Sequence, residues 1–205
     1  MARESRPIVK LSRREGYALH PKAHKALVKR TGPPGQRGNY MGRTKSSQYS
    51  LQLREKQKVK RLYGLLEKQF AKMMEEASRT RGQSGATLLE FLERRLDNVL
   101  YRAGFAPSRQ AARQLATHGH FILNGRRVDI PSIRLKAGDK VELRAVSKTN
   151  EYFKQLDELS PAPANIPTWL KANRKSLTVE ITGNPTRDDA EPDIKEQLIV
   201  EYYSR

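Results

Sequence analysis

The apolar positions of the chain change period several times, and the longest regular run lies in its middle. Leu88, Leu89, Leu92, Leu96, Val99, Leu100 and Ala103 fall three and four apart, which predicts one amphipathic helix. Thr87 followed by Glu90 reads as a capping box that starts it, and Gly104 is placed to stop it. Pro107-Ser108 predicts a turn and a fresh N-cap. The helix it opens carries Ala112, Leu115 and Ala116 inward until Gly119. Phe121-Ile122-Leu123 then predicts a strand and Asn124-Gly125 a two-residue hairpin turn, with Val128 beginning the return strand.

The flanking segments follow the same logic. Ser46-Ser47 caps a predicted helix over Gln48–Tyr63, whose apolar side is thin: Leu51, Leu53, Val59, Leu62 and Tyr63. Gly64 breaks it. Leu66, Phe70, Met73, Met74 and Ala77 predict a better amphipathic helix, with the Met pair as core filler. After the hairpin, Gly138-Asp139 is a turn, and the alternation of Val141, Leu143 and Ala145 predicts a strand. A short helix is expected over Glu151–Leu159 and a Pro-broken connector over Ser160–Pro167, with Trp169 and Leu170 anchored in a core. Leu177, Val179 and Ile181 predict another strand, Thr186–Asp193 an acidic loop, and Pro192-Asp193 with Glu196 the start of a closing helix. The fold class is therefore α+β.

Charge changes the picture. The 205 residues hold 40 Lys and Arg against 22 Asp and Glu, a formal net charge of +18. Residues 1–50 contribute +10 of it and residues 151–205 contribute −3. A polyanionic partner is expected, nucleic acid before an anionic membrane. Residues 1–45 are rich in Arg, Lys, Gly and Pro and poor in large apolar side chains, so they read as an extended basic arm that orders on its partner. Arg13, Arg14, Arg37 and Lys45 are its candidate contacts. The Gly32–Gly38 stretch GPPGQRG lacks the Lys-Ser/Thr ending of a phosphate loop. The next helix carries Arg54, Lys56, Lys58, Lys60 and Arg61 against a single Glu55, so it is expected to lie on something anionic.

The central unit is edged with Arg rather than Lys: Arg94, Arg95, Arg109, Arg113, Arg126 and Arg127. Arg109 and Arg113 are one helical turn apart and share a face. The planar guanidinium matches phosphate oxygens bidentately, so a helix pair and hairpin edged this way predicts a phosphate-backbone clamp, with His118, His120 and Asn124 beside it. There is no Cys, which excludes disulfides and thiolate metal sites. His20 and His24 stand at helical spacing, but Pro21 intervenes and no third ligand is evident, so no metal and no cofactor is expected. No apolar run approaches the length of a membrane span, and the first residues lack the hydrophobic core of a signal peptide, so a cytoplasmic protein without a membrane partner is expected.

SRQAARQLATHGHFILNGRRVDIPS resembles the signature of the S-four RNA-binding domain. That module occurs in a ribosomal protein, some pseudouridine synthases, tyrosyl-tRNA synthetases and a heat-shock RNA-binding protein. LREKQKVKRLYGLLEKQF, LERRLDNVLYRAGF, the PPGQRG loop and the closing EQLIVEYYSR extend the resemblance end to end, to the bacterial small-subunit ribosomal protein S-four family. The resemblance implies a helical lobe of about residues 46–84, closed by the final helix within 185–205. It also implies an RNA-binding lobe over 85–184. It further implies a primary binder of a small-subunit rRNA helix junction in the 5′ domain that starts subunit assembly. Such a protein touches ribosomal protein S-five where mRNA enters, affects decoding accuracy and is not a homo-oligomer. Some members also repress their own mRNA.

Two departures from related patterns matter. Many members hold zinc through four Cys in the arm, whereas here the first two matching positions are Val9 and Ser12. The arm must then be held by rRNA and local packing. Arg95-Leu96-Asp97 matches a catalytic triplet of pseudouridine synthases, but no second catalytic group or domain accompanies it. Asp97 is expected to be a helix-surface carboxylate paired with a nearby Arg, and the protein is not expected to be an enzyme.

Overall fold

The structure is a computed structural model and describes residues 4–30, 32–35, 47–163 and 165–204. In chain order the elements are α1 (Ile8–Glu15), α2 (His24–Lys29), α3 (Gln48–Leu62), α4 (Glu67–Arg79), α5 (Ser84–Glu93), α6 (Leu96–Arg102) and α7 (Arg109–Thr117). Then follow β1 (Phe121–Leu123), β2 (Arg126–Val128), β3 (Lys140–Leu143), α8 (Glu151–Lys154), α9 (Leu156–Leu159), β4 (Leu170–Asn173), β5 (Thr178–Ile181) and α10 (Glu196–Tyr203). They form two compact units, one of Met1–Leu88 with Pro192–Arg205 and the other of Leu89–Glu191.

The first unit is helical. Ser47 caps α3 by accepting from the Ser50 amide at 3.2 Å. α3 packs on α1 and α10. Phe70, Met73, Met74 and Ala77 of α4 are buried, as are Val59, Leu62 and Ile199. Residues 4–30 differ from the expected extended arm. They hold α1, a 3-10 turn at Pro21–Ala23 and α2, because Leu11, Leu19 and Ala23 find burial here. The segment carrying Arg37 and Lys45 lies outside the described residues.

The second unit packs α6 and α7 on one face of a five-stranded antiparallel sheet of order β2-β1-β3-β5-β4. The period-2 pattern puts Phe121, Val128, Val141, Leu143, Val179 and Ile181 into one core with Leu96, Val99, Leu100, Phe105, Ala112 and Ala116. Asn124 and Gly125 have φ of 48° and 82°, which the tight hairpin turn requires. The return strand begins at Arg126, not Val128, which is its last residue.

The single helix predicted across residues 87–103 is two. The backbone breaks at Arg94-Arg95 because residues 131–135 capture it. Leu96 N–H donates to the Ile133 carbonyl at 2.9 Å and Asp97 N–H to that of Pro131 at 3.1 Å, while Leu135 N–H donates to the Arg94 carbonyl at 2.8 Å. The apolar stripe survives, since every one of its seven positions is buried. Ala145 lies beyond β3, in a 3-10 turn, and Glu151–Leu159 is two short turns of helix rather than one. β4 was not expected.

Candidate nucleic-acid interface

The predicted cations fall into two populations. In the helical unit, the cationic side of α3 meets carboxylates of its own chain. Arg54 and Arg61 both donate to Glu15, whose side chain is wholly buried, the former at 3.1 Å. Burial pushes the Glu15 carboxyl above its usual range although both guanidinium groups attract its charge. Lys56 and Lys60 donate to Glu67 at 2.5 and 2.9 Å. Burial would raise that carboxyl, but the two lysine hydrogen bonds outweigh it and hold it at about 2. Lys56 also sits 4.7 Å from the Tyr202 ring. Lys58 pairs with Glu55 at 2.8 Å and donates to the Asp193 carbonyl at 2.7 Å. The anion expected beneath this helix is thus supplied in good part by Glu15 and Glu67.

In α1, Arg13 donates to the Gly32 carbonyl at 2.9 Å, and Arg14 is exposed. Ser12 is fully buried, donates to the Ile8 carbonyl at 2.8 Å and accepts from the Leu19 amide at 3.3 Å. A hydroxyl so engaged and the isopropyl group of Val9 do not fit a zinc site. The serine performs the clasping locally. Among the described residues no group of three or more His, Cys, Asp or Glu could hold a metal ion, and no helix is long and apolar enough to cross a membrane.

The arginines of the second unit were expected at its surface, and several are not there. Arg95 is 2 % exposed and grips Asp97 with Nε and Nη2 at 3.1 and 2.8 Å. Arg113 reaches the same carboxylate from α7 at 3.0 Å, and the Asn98 amide donates to it at 3.0 Å. Asp97 is therefore a buried, saturated acceptor at 4 % exposure, neither a surface carboxylate nor a group with room to catalyse. Arg109 donates to Asn98 Oδ1 and to Glu191, each at 2.9 Å, and lies 4.6 Å over the Tyr101 ring. Asn98 and Arg102 in turn satisfy Glu93, which is fully buried. Arg94 donates to Glu90 and to the Leu135 carbonyl. Replacing Arg109 and Arg113 together by Ala strips partners from Asp97, Asn98 and Glu191, so it perturbs the unit itself and not phosphate contacts alone.

A second group stays outside this network. Arg126 and Arg127 are exposed on β2, an edge strand, and pair with no carboxylate among the described residues. Asn124 is exposed but occupied, since its side chain donates to Asp139 and accepts from the Lys140 amide, both at 2.8 Å. The focus is the turn that ends α7. Gly119 has φ 68°, and a Cβ there would lie 2.8 Å from Arg127 Nε, so the guanidinium rests against the bare α-carbon. Arg144, at the end of β3, donates to the Gly119 carbonyl at 3.2 Å. His118 is exposed beside them. His120 bonds Ser147 Oγ at 3.0 Å and meets the Phe153 ring edge-on. Burial, then the positive charge of His118 and Arg144, pushes its imidazole below the usual pKa. Arg127 and Arg144 so form a cationic rim against one turn, with the His118 ring beside it, chemistry suited to phosphate oxygens. Arg144 was missed in the sequence, where it is a lone Arg inside the strand predicted over Val141 to Ala145. Only the pairing of β3 with β1 brings it to Gly119.

Comparison with known proteins agrees with this geometry. The family described as the ribosomal protein S4/S9 N-terminal domain matches residues 3–93, and the S4 domain matches residues 94–141. The small ribosomal subunit protein uS4 of Roseiflexus castenholzii is 49 % identical over 206 residues, covering all of both chains. Those of Clostridioides difficile and Trichlorobacter lovleyi are 49 % and 50 % identical over 211 and 212 residues, again covering both chains in full. With the RNA-binding signature folded as a helix pair on an antiparallel sheet and full-length similarity at this level, the chain belongs to the ribosomal S4 protein family.

Proposed function

We propose that this protein is a non-enzymatic structural constituent of the small ribosomal subunit, working in the cytoplasm, that binds rRNA through the rim at the end of α7 and the β2 edge. The observation that carries the reading is the convergence of Arg127 and Arg144 on Gly119 beside exposed His118. Arginines without carboxylate partners among the described residues, held against a turn of fixed backbone, are preorganised for phosphate. The finer reading rests on the family. The target is a helix junction in the 5′ domain, where binding starts assembly. Ribosomal protein S-five and the path by which mRNA enters are neighbours, decoding accuracy depends on that contact, and repression of its own mRNA is a further role. Arg14, Arg37 and Lys45 add contacts from the arm.

The test is filter binding of the full chain to a small-subunit 5′-domain rRNA fragment over a range of KCl. Affinity should fall with a log–log slope of about −0.7 to −0.9 per phosphate contact. The double substitution Arg126→Ala, Arg127→Ala should flatten that slope by about two contacts' worth and weaken binding more than tenfold, with melting unchanged. Equal binding by the double variant would place the RNA elsewhere.

A further inference from the structure

Glu191 is a carboxylate in a setting built for an anion. Arg109 Nη2 donates to its Oε1 at 2.9 Å, and Arg102 Nη2 stands 3.6 Å from the same oxygen. Arg109 cannot drift away when that oxygen leaves, because Asn98 Oδ1 fixes its Nε and the Tyr101 ring supports its plane. Asn98 is itself anchored to buried Glu93. The other carboxylates of this network are sealed: the Glu93 side chain is 0 % exposed and that of Asp97 6 %, against 22 % for Glu191. Glu191 is thus the network's outlet to solvent. It is contributed by the loop before Pro192 rather than by a helix or strand, so its departure disturbs no regular element.

We infer that Glu191 is an internal stand-in for an RNA phosphate. In the free protein its carboxylate occupies Arg109 and Arg102; in the complex a backbone phosphate takes that place and Glu191 swings out. This rests on the rRNA-binding reading above. The exchange is balanced in charge, since one monoanion replaces another on the same guanidinium groups, so the buried pairs behind them keep their partners. It also confers selectivity. A weakly placed anion does not displace a carboxylate already hydrogen-bonded to Arg109, whereas a phosphate held in register by Arg127 and Arg144 at the other end of α7 does. Removing the competitor should therefore tighten binding, the opposite of what loss of a structural ion pair does.

The experiment compares the full chain with its Glu191→Gln and Asp188→Asn variants, using the 5′-domain rRNA fragment in the filter assay and thermal melting as a check on folding. Asp188 is exposed on the same loop, so it controls for the loss of one negative charge. Glu191→Gln should lower Kd by about three- to tenfold, the worth of one displaced charge-assisted pair, and Asp188→Asn by less than twofold. Equal gains in the two variants, or weaker binding by Glu191→Gln, would overturn the inference while leaving the rRNA reading intact. Failure of the unsubstituted protein to retain the fragment would remove that reading and this one with it.

Discussion

Asp97 accepts from Arg95, Arg113 and the Asn98 amide in a site that is almost dry. Its negative charge is what makes two guanidinium groups tolerable there. Asp97→Asn keeps the shape and removes the charge, leaving both arginines uncompensated. The expected cost is about 3–5 kcal/mol, because breaking a buried pair exposes the full desolvation penalty of the partner. Urea unfolding of the variant checks this, and a loss under 1 kcal/mol would mean that the network contributes little. At this scale the sequence was legible only in part. Arg95 and Asp97 stand two apart, and their pairing could be anticipated. Arg109 meets Glu191 across 82 residues, and no local pattern announces it. An Arg read as exposed by composition becomes internal once a distant carboxylate reaches it.

The turn joining α7 to β1 shows what an element adds. Ser108 caps α7, Gly119 ends it and Asn124-Gly125 reverses the chain, and all three signals were readable because each acts within four residues. The break between α5 and α6 was not readable, since residues 131–135 impose it from outside. β4 was missed because LKAN is short and becomes a strand by pairing with β5. Gly119 also positions Arg127. Gly119→Ala strains a backbone of φ 68° and pushes a methyl group into the guanidinium, whereas Gly138→Ala imposes similar strain at φ 90° with open space around it. Both should destabilise the protein by about 1–2 kcal/mol. Only Gly119→Ala should also weaken rRNA binding, which melting and filter assays on the two variants will separate. Equal rRNA affinity in both variants would show that Arg127 does not depend on this turn.

Over the whole chain, a net charge of +18 overstates what is offered to a partner at any one place. On α3, Lys56, Lys60 and Arg61 are buried against Glu67 and Glu15, and in the second unit Arg95 and Arg113 are spent on Asp97. Among the described residues, the arginines at the end of α7 and along β2 have no such carboxylate partners. The α+β class and the family were legible from motifs spread along the entire chain. The division of labour among the arginines was not, because it depends on which carboxylates fold back onto them. A resident of the small subunit held there by phosphate contacts should co-sediment with it. The measurement that bears on this most directly is sedimentation of the tagged full-length protein from lysate, followed by a high-salt wash. One copy per small subunit is expected before the wash, with release only as the salt rises, because the phosphate contacts are salt-sensitive. Recovery in the soluble or precursor fractions at substoichiometric levels before the wash would contradict this and mark a transient visitor to the ribosome.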